Sequence, residues 1–147
     1  VVTSTLDAVQ AALAGEHACV YACGLAGGLL DGSAQEAAAA GRDAHRRRRD
    51  GLGQIVLRLG ATPIAALPAY ALPFAVKDPA SARALLADVE NRLAAVYADL
   101  VAAGATDGLR AMGAAGLLDA AAAAVAWGAA VTALPGIPEL LPVPTPS

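Results

Sequence analysis

Three ionisable residues, Glu16, His45 and Glu90, fall on three different predicted helices, where they could combine into one site. At about 100° per residue, His45 lies in the middle of the apolar stripe of its helix, whereas Glu16 and Glu90 lie at stripe margins. Two carboxylates and an imidazole can bind a single iron, manganese or zinc ion. Asp119, on a fourth predicted helix, is a more remote candidate ligand. One hypothesis is therefore a mononuclear metal site.

The same side chains also suit a structural role without an ion. Buried carboxylates need hydrogen-bond donors, and His45 together with Arg48 or Arg49 could supply them to Glu16 and Glu90. Charge-assisted hydrogen bonds would then stabilise the core in place of a metal. The two hypotheses differ in one observable feature. An arginine side chain between the carboxylates favours the structural network, and carboxylates that converge on the imidazole without an arginine favour metal.

Other reactive or charged side chains are better explained by packing or by solvation. His17 flanks the opposite side of its stripe, as packing histidines commonly do. Cys19 and Cys23 lie four residues apart on one predicted helix and could add soft ligands or form a redox pair, but this spacing is typical of reduced, helix-packing cysteines. In the run 46–49, the first two arginines are expected to face solvent and the last two to border the bundle.

Four predicted helices position these residues. The chain has 57% hydrophobic but only 3% aromatic residues, so its apolar content comes from Ala, Leu and Val, which favours an all-α fold. Ser33, with Glu36 three residues later, predicts a capping box at the start of the second helix. The predicted helices run from the Thr3–Thr5 cap region to the Gly27–Gly28 pair or shortly after, from just after Ser33 to Gly60, from Ser81 to about Ala103, and from about Asp107 to Leu134.

The segment 61–79 carries four prolines and cannot be a helix. About 19 extended residues reach roughly 60 Å, more than the roughly 40 Å of a 26-residue helix, so the segment can cross the full length of a bundle. One long crossover is the ferritin-like topology. The prediction is a four-helix bundle over residues 1–134 with a proline-rich tail over 135–147.

Five segments in this order and spacing resemble an actinobacterial ferritin-like family of unknown function. These segments are Ala14–Tyr21, Ala44–Asp50, Gly60–Pro63, Pro68–Pro73 and Val89–Asn91. The resemblance implies a ferritin-like bundle and no particular reaction. Di-iron members of the ferritin-like class use Glu-x-x-His on two helices, but here Arg42 stands three residues before His45, and Ala122 follows Asp119. The di-iron ligand set is therefore incomplete.

Composition excludes some classes of function. A net charge of −3 and a pI near 5.2 argue against a nucleic-acid partner. Two cysteines expected to be reduced, and the lack of a signal-peptide pattern, favour a cytoplasmic location. The uncharged stretch 120–138 is mostly alanine and contains Gly128 and Pro135, so we expect a bundle helix there and no membrane partner.

No glycine-rich phosphate loop, zinc-ribbon cysteine pairs or serine nucleophile elbow indicates a reaction. The preferred hypothesis is a non-enzymatic, structural or self-associating domain, a homo-oligomer and specifically a dimer, because its Ala-rich faces carry little charge. One alternative is a metal-binding, oxidoreductase-like bundle centred on Glu16, His45 and Glu90. Another is a ligand-binding or partner-binding module with the Tyr70 and Phe74 crossover as a lid.

Overall fold

Four α-helices form the fold of the chain in the computed structural model, which describes residues 3–131 and 135. No strand occurs within those residues, so the all-α prediction is confirmed. The predicted tail over 135–147, apart from Pro135, lies outside the described residues. The helices are α1 (Thr5–Gly27), α2 (Gly32–Arg58), α3 (Pro79–Ala103) and α4 (Asp107–Ala126).

The helix starts follow local capping chemistry. Ser4 caps α1 by accepting a hydrogen bond from the Asp7 amide, inside the predicted cap region. Asp78 and Ser81 form a capping box at α3, so this helix begins two residues earlier than predicted. The capping box predicted at Ser33 is wrong. α2 begins two residues earlier than predicted, at Gly32 after Asp31, and the Asp31 carbonyl accepts its first backbone hydrogen bond, while no side chain caps the helix.

The ends of α2 and α4 are set by glycines in the left-handed region. Gly60 has a φ of +78°, so α2 ends at Arg58, two residues before the predicted end. Gly128 has a φ of +110°, and α4 ends at Ala126 rather than continuing toward Leu134. A side chain would be strained at either glycine.

Contacts between the ends of neighbouring helices define the helix directions. The Thr5 hydroxyl donates to the Ala103 carbonyl over 2.6 Å, so the start of α1 lies beside the end of α3. The Arg83 guanidinium, near the start of α3, lies 6.0 Å from the Trp127 ring just after α4. α3 is therefore antiparallel to both α1 and α4.

The proline-rich segment between α2 and α3 runs along α1. The Gln10 side chain accepts a hydrogen bond from the Ile64 amide over 2.9 Å, near the beginning of α1. About three turns beyond, the Tyr21 and Tyr70 rings lie 5.4 Å apart. The predicted crossover therefore follows the length of the bundle, and it does so against one helix.

Two apolar clusters form the core, and a polar layer lies between them. The first cluster is centred on Val9, Leu13, Leu52 and Leu100, and the second on Ala26, Ala38, Leu85 and Leu86. Among the described residues, the buried polar or charged side chains are those of Glu16, His45 and Glu90. The core therefore brings the three predicted site residues together.

One side of the bundle is open. α1 packs against α2 and α3, and α3 packs against α4, but within the described residues α2 and α4 make no close approach. A cleft of about 290 Å³ separates them, with Tyr97 of α3 among its lining residues. A Cβ atom at Gly116 would lie 2.5 Å from the Tyr97 ring, so this glycine allows α4 to pack onto the ring.

α4 is apolar yet poorly covered. Its length and composition would allow it to cross a membrane, but core helices of soluble proteins can have the same length and composition. Only 22% of the most apolar part of this helix is buried. The uncovered part is the face that points away from α3.

Candidate functional site: a buried polar cluster

The imidazole of His45 lies between two buried carboxylates. Its Nδ1 atom is 2.7 Å from Glu16 Oε2, and its Nε2 atom is 3.0 Å from Glu90 Oε1. An ionised carboxylate can only accept hydrogen bonds, so both ring nitrogens must donate when both carboxylates are ionised. The geometry therefore fits a doubly protonated, positively charged His45.

The other oxygen of Glu16 is also engaged. The Tyr97 hydroxyl donates to Glu16 Oε1 over 2.5 Å, and Arg48 Nε lies 3.5 Å from the same oxygen. Two positive side chains, His45 and Arg48, thus accompany two negative ones, Glu16 and Glu90. This balance offsets the cost of placing isolated charges in the core.

Electrostatics reinforce this protonation pattern. Burial by itself would lower the pKa of His45, but contacts with the side chains of Cys23, Glu16 and Glu90 raise that pKa to about 11. Burial and the neighbouring Glu16 charge raise the pKa of Tyr97 well above its ordinary value. His45 is therefore charged, and Tyr97 a neutral donor, throughout the physiological pH range.

Cys19 adds a potential soft ligand to the cluster. Its Sγ atom, a ring nitrogen of His45 and a carboxylate oxygen of Glu90 all lie within 4.8 Å of one another. Glu90 Oε2 is buried and makes no hydrogen bond. Thiolate, imidazole and carboxylate are ligands that zinc accepts, so these residues could hold one ion.

Metal binding at this position would have to displace protons. Burial and the charges of Glu90 and Glu16 raise the pKa of the Cys19 thiol, which favours its protonated form. His45 would also have to release a proton from the nitrogen that binds the ion. The arrangement can therefore hold protons in a closed network, and it can accept an ion only by breaking the bond between His45 and Glu90.

The remaining sequence-predicted residues lie outside the cluster. Asp119 is exposed and lines the cleft between α2 and α4. Arg49 pairs with the neighbouring Asp50 rather than with a site carboxylate. His17 donates from Nε2 to the Ile64 carbonyl over 3.1 Å and holds the crossover against α1.

Sequence reasoning missed the role of Tyr97. The sequence feature that could have revealed this role is the position of Tyr97 seven residues after Glu90, which places both on one helix face. In a chain with so few aromatic residues, a tyrosine on that face was a candidate donor. The structure also moves Glu16 and Glu90 from the stripe margins into the buried interior.

The fold and this cluster define an all-helical bundle domain with a polar core. Residues 8–139 match the family described as a domain of unknown function, DUF4439, and the chain belongs to that family. The structure is similar to a conserved hypothetical protein, rv2844, from Mycobacterium tuberculosis, with a TM-score of 0.79 and 30% identity. The similarity covers 82% of this chain and 91% of that one. No match is found among proteins of curated function.

Proposed function

We propose that this chain is a structural, self-associating domain of ferritin-like type in which a hydrogen-bonded charge network replaces a metal centre. The helix directions, with one long crossover between α2 and α3, support the ferritin-like assignment. The observation that carries the structural role is that both ring nitrogens of His45 already contact carboxylates. The side chains that would bind an ion instead bind one another and join α1, α2 and α3.

Arg48 does not lie between the two carboxylates, so the arginine arrangement expected for the network is not found; Arg48 instead adds a second positive charge at the edge of the cluster. Its Nε atom lies 3.5 Å from Glu16 Oε1, on the side of the carboxylate away from His45. A second cation next to an ion would repel it. Arg42, three residues before His45, occupies the place of a ligand in the Glu-x-x-His pattern and adds a further positive charge to α2.

The second candidate function is binding of one iron, manganese or zinc ion. It is favoured by the convergence of Cys19, His45 and Glu90 and by the free oxygen of Glu90. Zinc is the best match to a thiolate, an imidazole and a carboxylate. This site differs from the one expected from the sequence, because Cys19 takes the place of Glu16.

Elemental analysis of protein purified without chelator separates the two functions. The structural proposal expects no stoichiometric metal in the wild type and none after dialysis against zinc. About one ion per chain, lost in Glu90→Gln and in Cys19→Ala, would replace the structural proposal with the metal site. Asp119→Asn is the matched control, because Asp119 lies outside the cluster and its loss leaves a metal site intact.

Self-association is proposed through the outward face of α4. An uncharged stripe on this face repeats at alternating spacings of four and three, which is the spacing of a coiled-coil seam. Its members are Ala111, Ala115, Leu118, Ala122 and Val125, and each is exposed. Most are alanines, which allow two helices to approach closely.

The stripe is centred on Leu118, which is 67% exposed. Ala111 and Val125 lie seven residues before and after it, so an antiparallel pair of α4 helices would place Leu118 against its equivalent in a second copy. A helix of about 30 Å by 10 Å offers less area than the roughly 800 Å² per partner of a stable complex. We therefore expect a dimer that dissociates on dilution.

Sedimentation velocity over a concentration series tests this interface. Leu118→Glu is expected to give a monomer at concentrations where the wild type is dimeric, because it places two carboxylates opposite each other. Leu57→Glu is the matched control, since Leu57 is also an exposed leucine, at 53%, but lies on α2. A monomeric wild type at every concentration, or equal effects of both variants, would refute the α4 interface.

A further inference from the structure

A second cavity lies between α1 and α2, apart from the open cleft between α2 and α4. It is a solvent-open groove of about 480 Å³, bounded by α1, α2 and the crossover segment. This volume lies within the usual range of small-molecule sites, about 300–1,000 Å³. Next to the cavity, the hydrogen bond from His17 to the Ile64 carbonyl attaches the crossover to α1, so the crossover forms a fixed outer wall.

The charged residues of the cavity have one sign. Arg42 and Arg49 line it, and no aspartate or glutamate does. The Nε atom of Arg42 is buried without a hydrogen-bond partner, and Arg42 forms no ion pair within the described part of the chain. Arg49 pairs with Asp50, whose side chain is largely exposed, and such surface pairs are weak. The cavity therefore holds the positive charge of Arg42, which pairs with no described carboxylate, beside Arg49, whose partner lies at the surface.

The space in front of Arg42 depends on a small neighbour. A Cβ atom at Gly24 would lie 3.6 Å from the Arg42 guanidinium carbon, so the guanidinium lies directly against the backbone of α1. A larger residue at Gly24 would push its side chain into the cavity. The guanidinium is thus held against α1 at the wall of the cavity.

The rest of the cavity is apolar and aromatic. The Tyr21 and Tyr70 rings form a tilted pair across α1 and the crossover, and Val20, Leu25 and Leu67 complete the lining. The Tyr70 hydroxyl accepts a hydrogen bond from the Leu67 amide over 3.1 Å, which fixes the ring. An apolar surface beside two guanidinium groups matches a molecule with an apolar body and an anionic head.

We propose that this cavity binds a small amphipathic anion, with a carboxylate or phosphate head on Arg42 and Arg49 and an aromatic or branched apolar body against Tyr21 and Tyr70. Guanidinium groups bind both heads through paired, charge-assisted hydrogen bonds. The crossover supplies half of the apolar wall, so the ligand bridges it to the bundle. This site is independent of the buried cluster around His45.

Isothermal titration calorimetry with benzoate and with phenyl phosphate tests the site. We expect saturable binding of at least one of them at one site per chain, and the one that binds more tightly identifies the head group. Benzamide has a similar shape without charge, and benzamidine has the opposite charge, so neither is expected to bind. No saturable binding of either anion at concentrations on the order of 10 mM overturns the proposal, as does equal binding of benzamide.

Variants locate the site. Arg42→Gln is expected to weaken binding about tenfold or more, because it removes a charged donor to the anion. Arg46→Gln is the matched control, since Arg46 lies on the same helix, faces solvent and pairs with Asp43. Tyr70→Ala should weaken benzoate binding by removing apolar contact. Circular dichroism verifies that each variant is folded, and equal losses in the Arg42 and Arg46 variants would place the site elsewhere.

Discussion

Replacing Tyr97 by phenylalanine removes one oxygen atom from the centre of the bundle and leaves its ring in place. That oxygen donates to Glu16 Oε1 over 2.5 Å, within a fully buried cluster. A hydrogen bond to a charged group contributes about 1.5–3 kcal/mol, and breaking it also leaves part of a buried carboxylate less well solvated. Glu16 Oε1 keeps Arg48 at 3.5 Å, which limits the loss. We expect Tyr97→Phe to lower the free energy of unfolding by about 2 kcal/mol.

The assay is urea denaturation at neutral pH, followed by far-ultraviolet circular dichroism. The slope of the free energy against urea should stay unchanged, because the surface exposed on unfolding is the same. For a chain of this size, a loss of about 2 kcal/mol corresponds to a melting temperature lower by roughly 4–8 °C. The variant should be measured in protein shown to be free of metal, so that ion binding does not contribute.

Tyr21→Phe provides the control for this measurement. Tyr21 is half-buried, contacts the Tyr70 ring, and makes no hydrogen bond through its hydroxyl within the described residues. Its loss should change the free energy of unfolding by less than about 0.5 kcal/mol. If Tyr97→Phe costs no more than Tyr21→Phe, the short contact to Glu16 does not stabilise the fold, and the network argument fails.

Two further predictions concern packing and pH. Gly116→Ala should lower the free energy of unfolding in urea by about 1–3 kcal/mol, because the new Cβ would meet the fixed Tyr97 ring. Gly53→Ala, at a position with open space around it on α2, should be neutral or stabilising. Equal effects of the two substitutions would contradict the close approach of α4 to the Tyr97 ring. The pKa of His45 rises from 6.5 to about 11 on folding, so the stability that it contributes is complete below pH 6.5 and is lost as the pH rises toward 11. Glu90→Gln removes one of the two carboxylates that contact the His45 imidazole, so the loss of stability should occur at lower pH. An unchanged pH profile of stability would show that Glu90 does not stabilise the imidazolium.

The sequence predicted the fold and the central position of His45 because both depend on local periodicity. It placed Glu16 and Glu90 at the margins because the stripes were defined by the large apolar residues. In an Ala-rich bundle the helices approach closely, and residues such as Ala12 and Ala26 are as fully buried as any leucine. The buried arc of each helix is therefore wider than the leucine and valine positions indicate.

Contacts between distant segments could not be predicted in this way. The bond between Tyr97 and Glu16 joins residues 81 positions apart, and the tyrosine ring that makes it packs against Gly116 of α4. The face of Asp119 could not be assigned either, because the alanine run that follows it has no periodicity. The start of α2 at Gly32 depends on the tight connection from α1, which outweighs the capping preference of Ser33.

The attachment of α4 has a consequence for hydrogen exchange. Within the described residues the backbone of this helix comes close to that of α3 but not to that of α1 or α2. Segments with few neighbours open separately from the rest of a protein, at a lower free energy than global unfolding. Amides of α4 should therefore exchange with solvent deuterium sooner than those of α1, through openings that leave the other three helices intact. Each such opening would uncover the Tyr97 ring and admit water to the edge of the charge network, so the exchange rate of α4 measures how often the centre of the bundle becomes accessible.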